Sequence, residues 1–185
     1  VISEIVQIEV ETSAFIAAGL NKDSWLVILH ANRIPPHIGL LINGNYNSLT
    51  IKGHELNVNI EALLKTISQK KIESVFIGLK KHPVFSLDHQ LSMFQEMIKN
   101  FEQVKHDHAT CLTPIKLFFQ EFYAVTSIEE ELFFEFIKRL NDNSYLQSAS
   151  ALNFDLNKNL IEFPFYSTEQ LSEQIKAERL PYYKD

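Results

Sequence analysis

The chain has 185 residues, 45% of them apolar and 22% charged, with a net charge of −6 at pH 7. For that length, surface scaling allows roughly 70% of the unfolded area to be buried, which disfavours disorder and makes covalent staples unnecessary. One cysteine excludes an internal disulfide and a cysteine-rich structural zinc site, and an acidic balance whose only lysine pairs are Lys70-Lys71 and Lys80-Lys81 argues against nucleic acid as a partner.

Residues 1–10 alternate in their later half as a strand does, and 12–20, with Ala14, Ala17 and Ala18, read as a short helix ended by Gly19 and Asn21. Residues 25–30 form a continuous apolar run of strand length, after which Arg33-Ile34-Pro35-Pro36 interrupts regular structure. A second apolar strand, 37–42, enters Asn43-Gly44-Asn45, a hairpin signal because Asn and Gly tolerate positive φ. Residues 46–51 are the partner strand. A helix follows over 60–68, with Leu63, Leu64 and Ile67 on one face, and then a strand over 74–79. Ser86 can cap a helix reaching about residue 104, with Leu87, Leu91, Phe94, Ile98 and Phe101 at helical spacing.

After the polar run 105–110 comes an apolar amphipathic segment, 111–124. Ser127 is expected to begin a helix, with Glu129, Glu130 and Glu131 in a first turn where the helix dipole favours negative charge. A short strand at 160–163 and a helix capped by Ser167 complete the chain. The fold class expected is α+β: an antiparallel sheet built on the hairpin near 37–51, packed against helices, the Cys111 helix lying on the sheet, with a mostly helical C-terminal extension. Residues 1–140 form the main domain and 141–185 an appendage packed on it. No apolar run approaches the roughly 20 residues that span a bilayer, and no glycine-rich phosphate motif is present. A lone thiol suits a reducing cytosol; nothing else addresses the compartment.

Cys111 marks the junction between the polar run and the apolar segment Ile115, Leu117, Phe118, Phe119, Phe122. A cysteine is most often a small buried hydrophobe. A thiol at a helix N-terminus instead feels the positive end of the dipole, which favours the nucleophilic thiolate. Thr113-Pro114 is a good helix-opening pair and would leave Cys111 just outside the helix. A thiol nucleophile also needs a base. Among His30, His37, His54, His82, His89, His106 and His108, His37 opens a strand directly after two prolines, and His54 follows the partner strand. The alternating His106-Asp107-His108 would bind a metal only if a third ligand converged. A caspase-like order is rejected, because the residues before Cys111 are polar and not an apolar strand.

A strand opening with His37-Ile38-Gly39, a hairpin, a polar group on the following strand, a helical stretch and then Cys111 before an apolar helix resembles the circularly permuted papain-like arrangement of NlpC-like hydrolases and the lecithin retinol acyltransferase family. The likeness covers about 25–125. It implies a papain-like main domain and a thiol-dependent acyl hydrolase or acyltransferase acting on a peptide, isopeptide or ester, with no cofactor. Cys111 corresponds to the nucleophile, His37 to the general base, and His54 loosely to the orienting group, with Asn47, Ser48 or Thr50 as alternatives. The competing reading is a non-catalytic binding or structural domain, which includes an inactive member of the same fold; in it the aromatic segments 117–123 and 132–137 are either plain core or a partner surface.

Overall fold

Asn43 (φ 50°) and Gly44 (φ 75°) both take positive φ in the computed structural model, which describes residues 4–105 and 108–177. That turn joins β3 (His37–Ile42) to β4 (Asn45–Thr50), as the sequence predicts. Among the described residues, six strands form one antiparallel sheet in the order β5 (Gly53–Asn59), β4, β3, β2 (Ser24–Leu29), β6 (Ser74–Leu79), β7 (Leu146–Leu152). β2 is central, pairing Leu29 with His37 on one side and with Ser74 on the other. A separate two-stranded pair joins β1 (Ile5–Glu9) to β8 (Leu160–Pro164). The fold is therefore α+β with an antiparallel sheet, and a C-terminal helix, α5 (Thr168–Ala177), is present.

Alternation along the strands divides the core in two. Leu26, Ile28, Ile38, Leu40 and Ile42 face a large cluster that includes Phe94 from α2 (Leu87–Lys99), Ile115, Phe118 and Phe119 from α3 (Thr113–Tyr123), and Phe136 and Leu140 from α4 (Phe133–Asp142). Val27, Leu41 and Tyr46 face a smaller cluster closed by Leu63 and Ile67 of α1 (Ile60–Lys70). The aromatic segments are thus core: Phe118, Phe119, Phe122, Phe133, Phe134 and Phe136 are all buried.

Three predicted elements differ. Residues 12–20 are not an α-helix; only a 3₁₀ turn forms at Ala17–Asn21, because Thr12 bridges Ala149 and the Ser13 N–H donates to the Ala149 carbonyl, which holds the stretch extended along β7. The Ser127 helix does not start there. Glu130 has φ 59°, Glu131 is drawn aside by Arg139, and α4 starts at Phe133 with the Leu132 N–H donating to the Glu135 carboxylate. α2 starts at the Ser86 cap as expected but ends at Lys99, short of residue 104. β5 and β7 were not expected. Residues 141–177 supply the edge strand β7 and the partner of β1 as well as α5.

An irregularity in β5 determines what faces what. Tyr46 pairs with Val58 and Ser48 with Glu55, so the single residue Asn47 faces two, Leu56 and Asn57. Asn57 takes φ 54° to absorb the extra residue. Asn47, fully buried, holds it: its Oδ1 accepts from the Asn57 N–H at 2.9 Å and from Gln95 Nε2 at 3.1 Å, and Gln95 also donates to Asn57 Oδ1 at 2.6 Å. Substituting Asn47→Ala would leave two donors without their acceptor; a loss of about 1–3 kcal/mol in urea unfolding is expected, and no measurable loss would show that the side chain does not hold the bulge.

Candidate active site

β3 begins beside the end of β4, and the segment leading to Cys111 is fastened there. The Val104 N–H donates to the Thr50 carbonyl at the end of β4, and Lys105 and Ala109 exchange backbone bonds that turn the chain back. The turn into α3 is interlocked: the Thr110 N–H donates to Thr113 Oγ1 and the Leu112 N–H to Thr110 Oγ1. Leu112 is the N-cap, Thr113 and Pro114 form the first turn, and Cys111 stands directly before the cap with a partly accessible side chain. Ile115, Phe118 and Phe122 anchor the rest of the helix in the core.

Cys111 and His37 line one cavity of about 1050 Å³. His37 is oriented by a hydrogen-bonded chain. Its Nε2 lies 3.0 Å from Ser48 Oγ, and Ser48 Oγ donates to Glu55 Oε2 at 3.0 Å. A carboxylate only accepts and a serine has one proton, so while Ser48 donates to Glu55 it receives the Nε2–H of His37. The neutral ring then carries its proton on Nε2 and presents Nδ1 as the acceptor. Burial, assisted by the neighbouring His30, lowers the His37 pKa to about 4. At neutral pH the ring is therefore an uncharged base.

The bulge explains why His54 is elsewhere. In an unbroken register His54 would fall on the face of Tyr46 and Ser48; the extra residue puts it opposite Leu49 and turns Glu55 towards Ser48 instead. His54 is exposed, bonds to the Phe101 carbonyl and does not line the cavity. Of the alternatives considered, Ser48 is in the chain to His37, Thr50 lines the cavity but turns its hydroxyl to the Gly53 carbonyl, and Asn47 holds the bulge. Glu55 was missed; an acidic residue on an edge strand carries no local signal.

The remaining histidines have other surroundings. His82 donates from Nε2 to the Phe122 carbonyl and accepts at Nδ1 from the Val84 and Phe85 N–H groups, a structural role. His30 turns the chain out of β2 with φ 53°, and burial lowers its pKa. His89 is exposed and stacks on Phe85. His108 is exposed and lines the cavity, whereas His106 and Asp107 lie outside the described residues. Among the described residues no group of three or more His, Cys, Asp or Glu side chains is placed to hold a metal, and no helix is long and apolar enough to cross a membrane.

Residues 127–132 form a strap along the cavity. Lys116, on α3, donates to the Ile128 and Glu131 carbonyls at 2.7 and 3.0 Å. The Glu131 carboxylate, with only 5% of its side chain exposed, accepts from Arg139 Nε and Nη2, each at 2.7 Å. Two buried phenols, Tyr46 and Tyr166, also line the cavity. Burial raises the pKa of each, and the charge of a Cys111 thiolate adds to it, so both stay protonated.

Comparison with known proteins finds no matching family model, no matching curated protein and no matching solved structure.

The low His37 pKa has a consequence for stability. Below the ordinary value of 6.5 the unfolded chain takes up a proton that the folded chain refuses until about pH 4, so stability falls as pH drops across that window. The loss attributable to this ring is up to roughly 3 kcal/mol at about 1.4 kcal/mol per pH unit. Urea unfolding at pH 7 and pH 4 should show a smaller acid loss in His37→Gln than in the parent; equal losses would contradict a buried neutral ring.

Proposed function

We propose that the protein is a thiol-dependent acyl hydrolase or acyltransferase, with Cys111 as nucleophile and His37 as general base. The observation that supports it is the shared cavity, lined by the one cysteine of the chain, ahead of an eleven-residue helix, and by a histidine whose Nε2 is engaged by Ser48 and Glu55, which leaves Nδ1 as the acceptor. This is the division of labour a thiol enzyme needs, in which a base takes the proton and a third group fixes its tautomer.

His37 Nδ1 accepts the thiol proton, and the sulfur lone pair attacks the acyl carbon, pushing the carbonyl π pair onto oxygen. The positive end of α3, directly after Cys111, favours both the thiolate and the developing oxyanion. Collapse expels the amine or alcohol, which leaves with the proton held by His37, and a thioester remains. Water or an acceptor nucleophile then gives its proton to Nδ1, attacks the thioester and releases Cys111. The Nε2–H stays on Ser48 throughout and Glu55 stabilises the transient imidazolium. His54 has no part in this set.

The test uses p-nitrophenyl acetate and iodoacetamide as probes. Cys111→Ala should abolish acylation and labelling, His37→Gln should slow acylation about 10²–10⁴-fold, and the acid limb of the rate should lie below pH 6.5 because His37 stays neutral to about pH 4. A parent thiol that labels no faster than free cysteine, with no burst of p-nitrophenol, would rule the reading out and favour a binding domain.

A further inference from the structure

Tyr46 is 1% exposed, and its hydroxyl makes no hydrogen bond of good geometry although Ser48 lies close enough to act on it, whereas most buried polar groups of a protein are fully bonded. Its position is confined. The ring lies against Gly39, where an added Cβ would collide with Cε2 and stand 2.6 Å from the hydroxyl. Gly39 is two residues from His37 on the same face of β3, and Ser48 is the next residue on that face of Tyr46's own strand. Beyond the effect of burial, Ser48 acts on the phenol as a hydrogen-bonding neighbour, and the charges of Glu55 and a Cys111 thiolate reach it.

Ser48 is incomplete in a complementary way. Its oxygen donates once and can accept twice; it donates to Glu55 and accepts from His37, and one acceptor site remains. A buried donor without an acceptor therefore adjoins an acceptor with a vacant site. Resting on the reading of His37 as a base, we infer that Tyr46 is a positioning residue that sets the direction of the chain: its O–H closes onto Ser48 Oγ and fills the last acceptor site. With both acceptor sites of Ser48 taken by donors, the Ser48 proton can point only to Glu55, and His37 is kept in the tautomer with Nδ1 bare. Glu55 does not secure this alone, because its exposed carboxylate is open to competition from water. Without the phenol, Ser48 can rotate its proton towards Nε2, and His37 then carries a proton on Nδ1, where it cannot accept one from Cys111.

The experiment is ¹⁵N–¹H correlation of histidine-labelled protein at pH 7, beside iodoacetamide labelling and thermal melting, for the parent and Tyr46→Phe. The parent should show His37 protonated on Nε2. Tyr46→Phe should draw the two ring-nitrogen shifts towards their average and slow labelling severalfold, with the small drop in Tm that the loss of one hydrogen bond brings. Gly39→Ala, which pushes the ring off its place, should give the same tautomer change and serves if Tyr46→Phe fails to fold. Unchanged His37 shifts in a folded variant would overturn the assignment to Tyr46 while leaving the Cys111–His37 reading intact. A parent ring already protonated on Nδ1 would instead overturn both.

Discussion

In an antiparallel sheet, one inserted residue reverses which side chains look to which side from that point onward. The extra residue at Asn57 does this to β5, and the arrangement around His37 follows from it. Val58 and Glu55 both line the cavity although they are an odd number of residues apart, which regular alternation forbids. Three amide side chains stabilise the irregularity: Asn47, fully buried, binds the displaced backbone of Asn57, and Gln95 reaches from α2 to bond both. The hydrogen bond from Ser48 to Glu55 thus depends on a polar cluster on the opposite face of the sheet, held by a helix that does not itself line the cavity.

The two layers of the molecule meet at this place. His37 opens a strand whose alternate residues face the small core under α1, whereas α3, which Cys111 precedes, belongs to the large core on the other face. They share a cavity because both stand at the same end of the sheet, where β3 begins and the backbone bond from Val104 to Thr50 fastens the incoming loop. Lys116, through the Ile128 and Glu131 carbonyls, and Arg139, through the nearly buried Glu131 carboxylate, then tie the strap at 127–132 to α3 and α4, so that one wall of the cavity is held by charge-assisted bonds. The helix after Cys111 is anchored by Phe118, Phe119 and Phe122, which are buried and pack on one another and on Phe136.

Much of this was legible in the sequence where the signal is local. The Asn43-Gly44 turn, the strands at 37–42 and 74–79, the Ser86 cap and the helix after Cys111 each follow from residues within a few positions of one another. The failures share a cause. Residues 12–20 have helical composition, yet backbone bonding at Thr12 and Ser13 to Ala149, more than a hundred residues away, holds the start of the stretch along β7 and leaves only a 3₁₀ turn. Glu129 to Glu131 suit a first helical turn, yet Glu131 is claimed by Lys116 and Arg139. His54 was named because it follows the partner strand; β5 itself was not expected, and the bulge that turns Glu55 to Ser48 leaves no mark except an Asn at 57, one of several in the chain. Cys111 and His37 could be named as candidates from sequence because each sits at an element boundary; the groups that orient His37 could not, because they depend on register.

Gly39 was part of the short pattern that suggested chemistry, but the ring of Tyr46 occupies the space where any larger side chain would begin. Its demand is therefore volumetric. Position 39 would score as essential in a substitution scan while touching no substrate, and the effect would be transmitted across the hairpin to a residue seven positions away. Reading such a scan correctly requires treating Gly39 and Tyr46 as one unit of shape, in which room given up on β3 is taken up on β4.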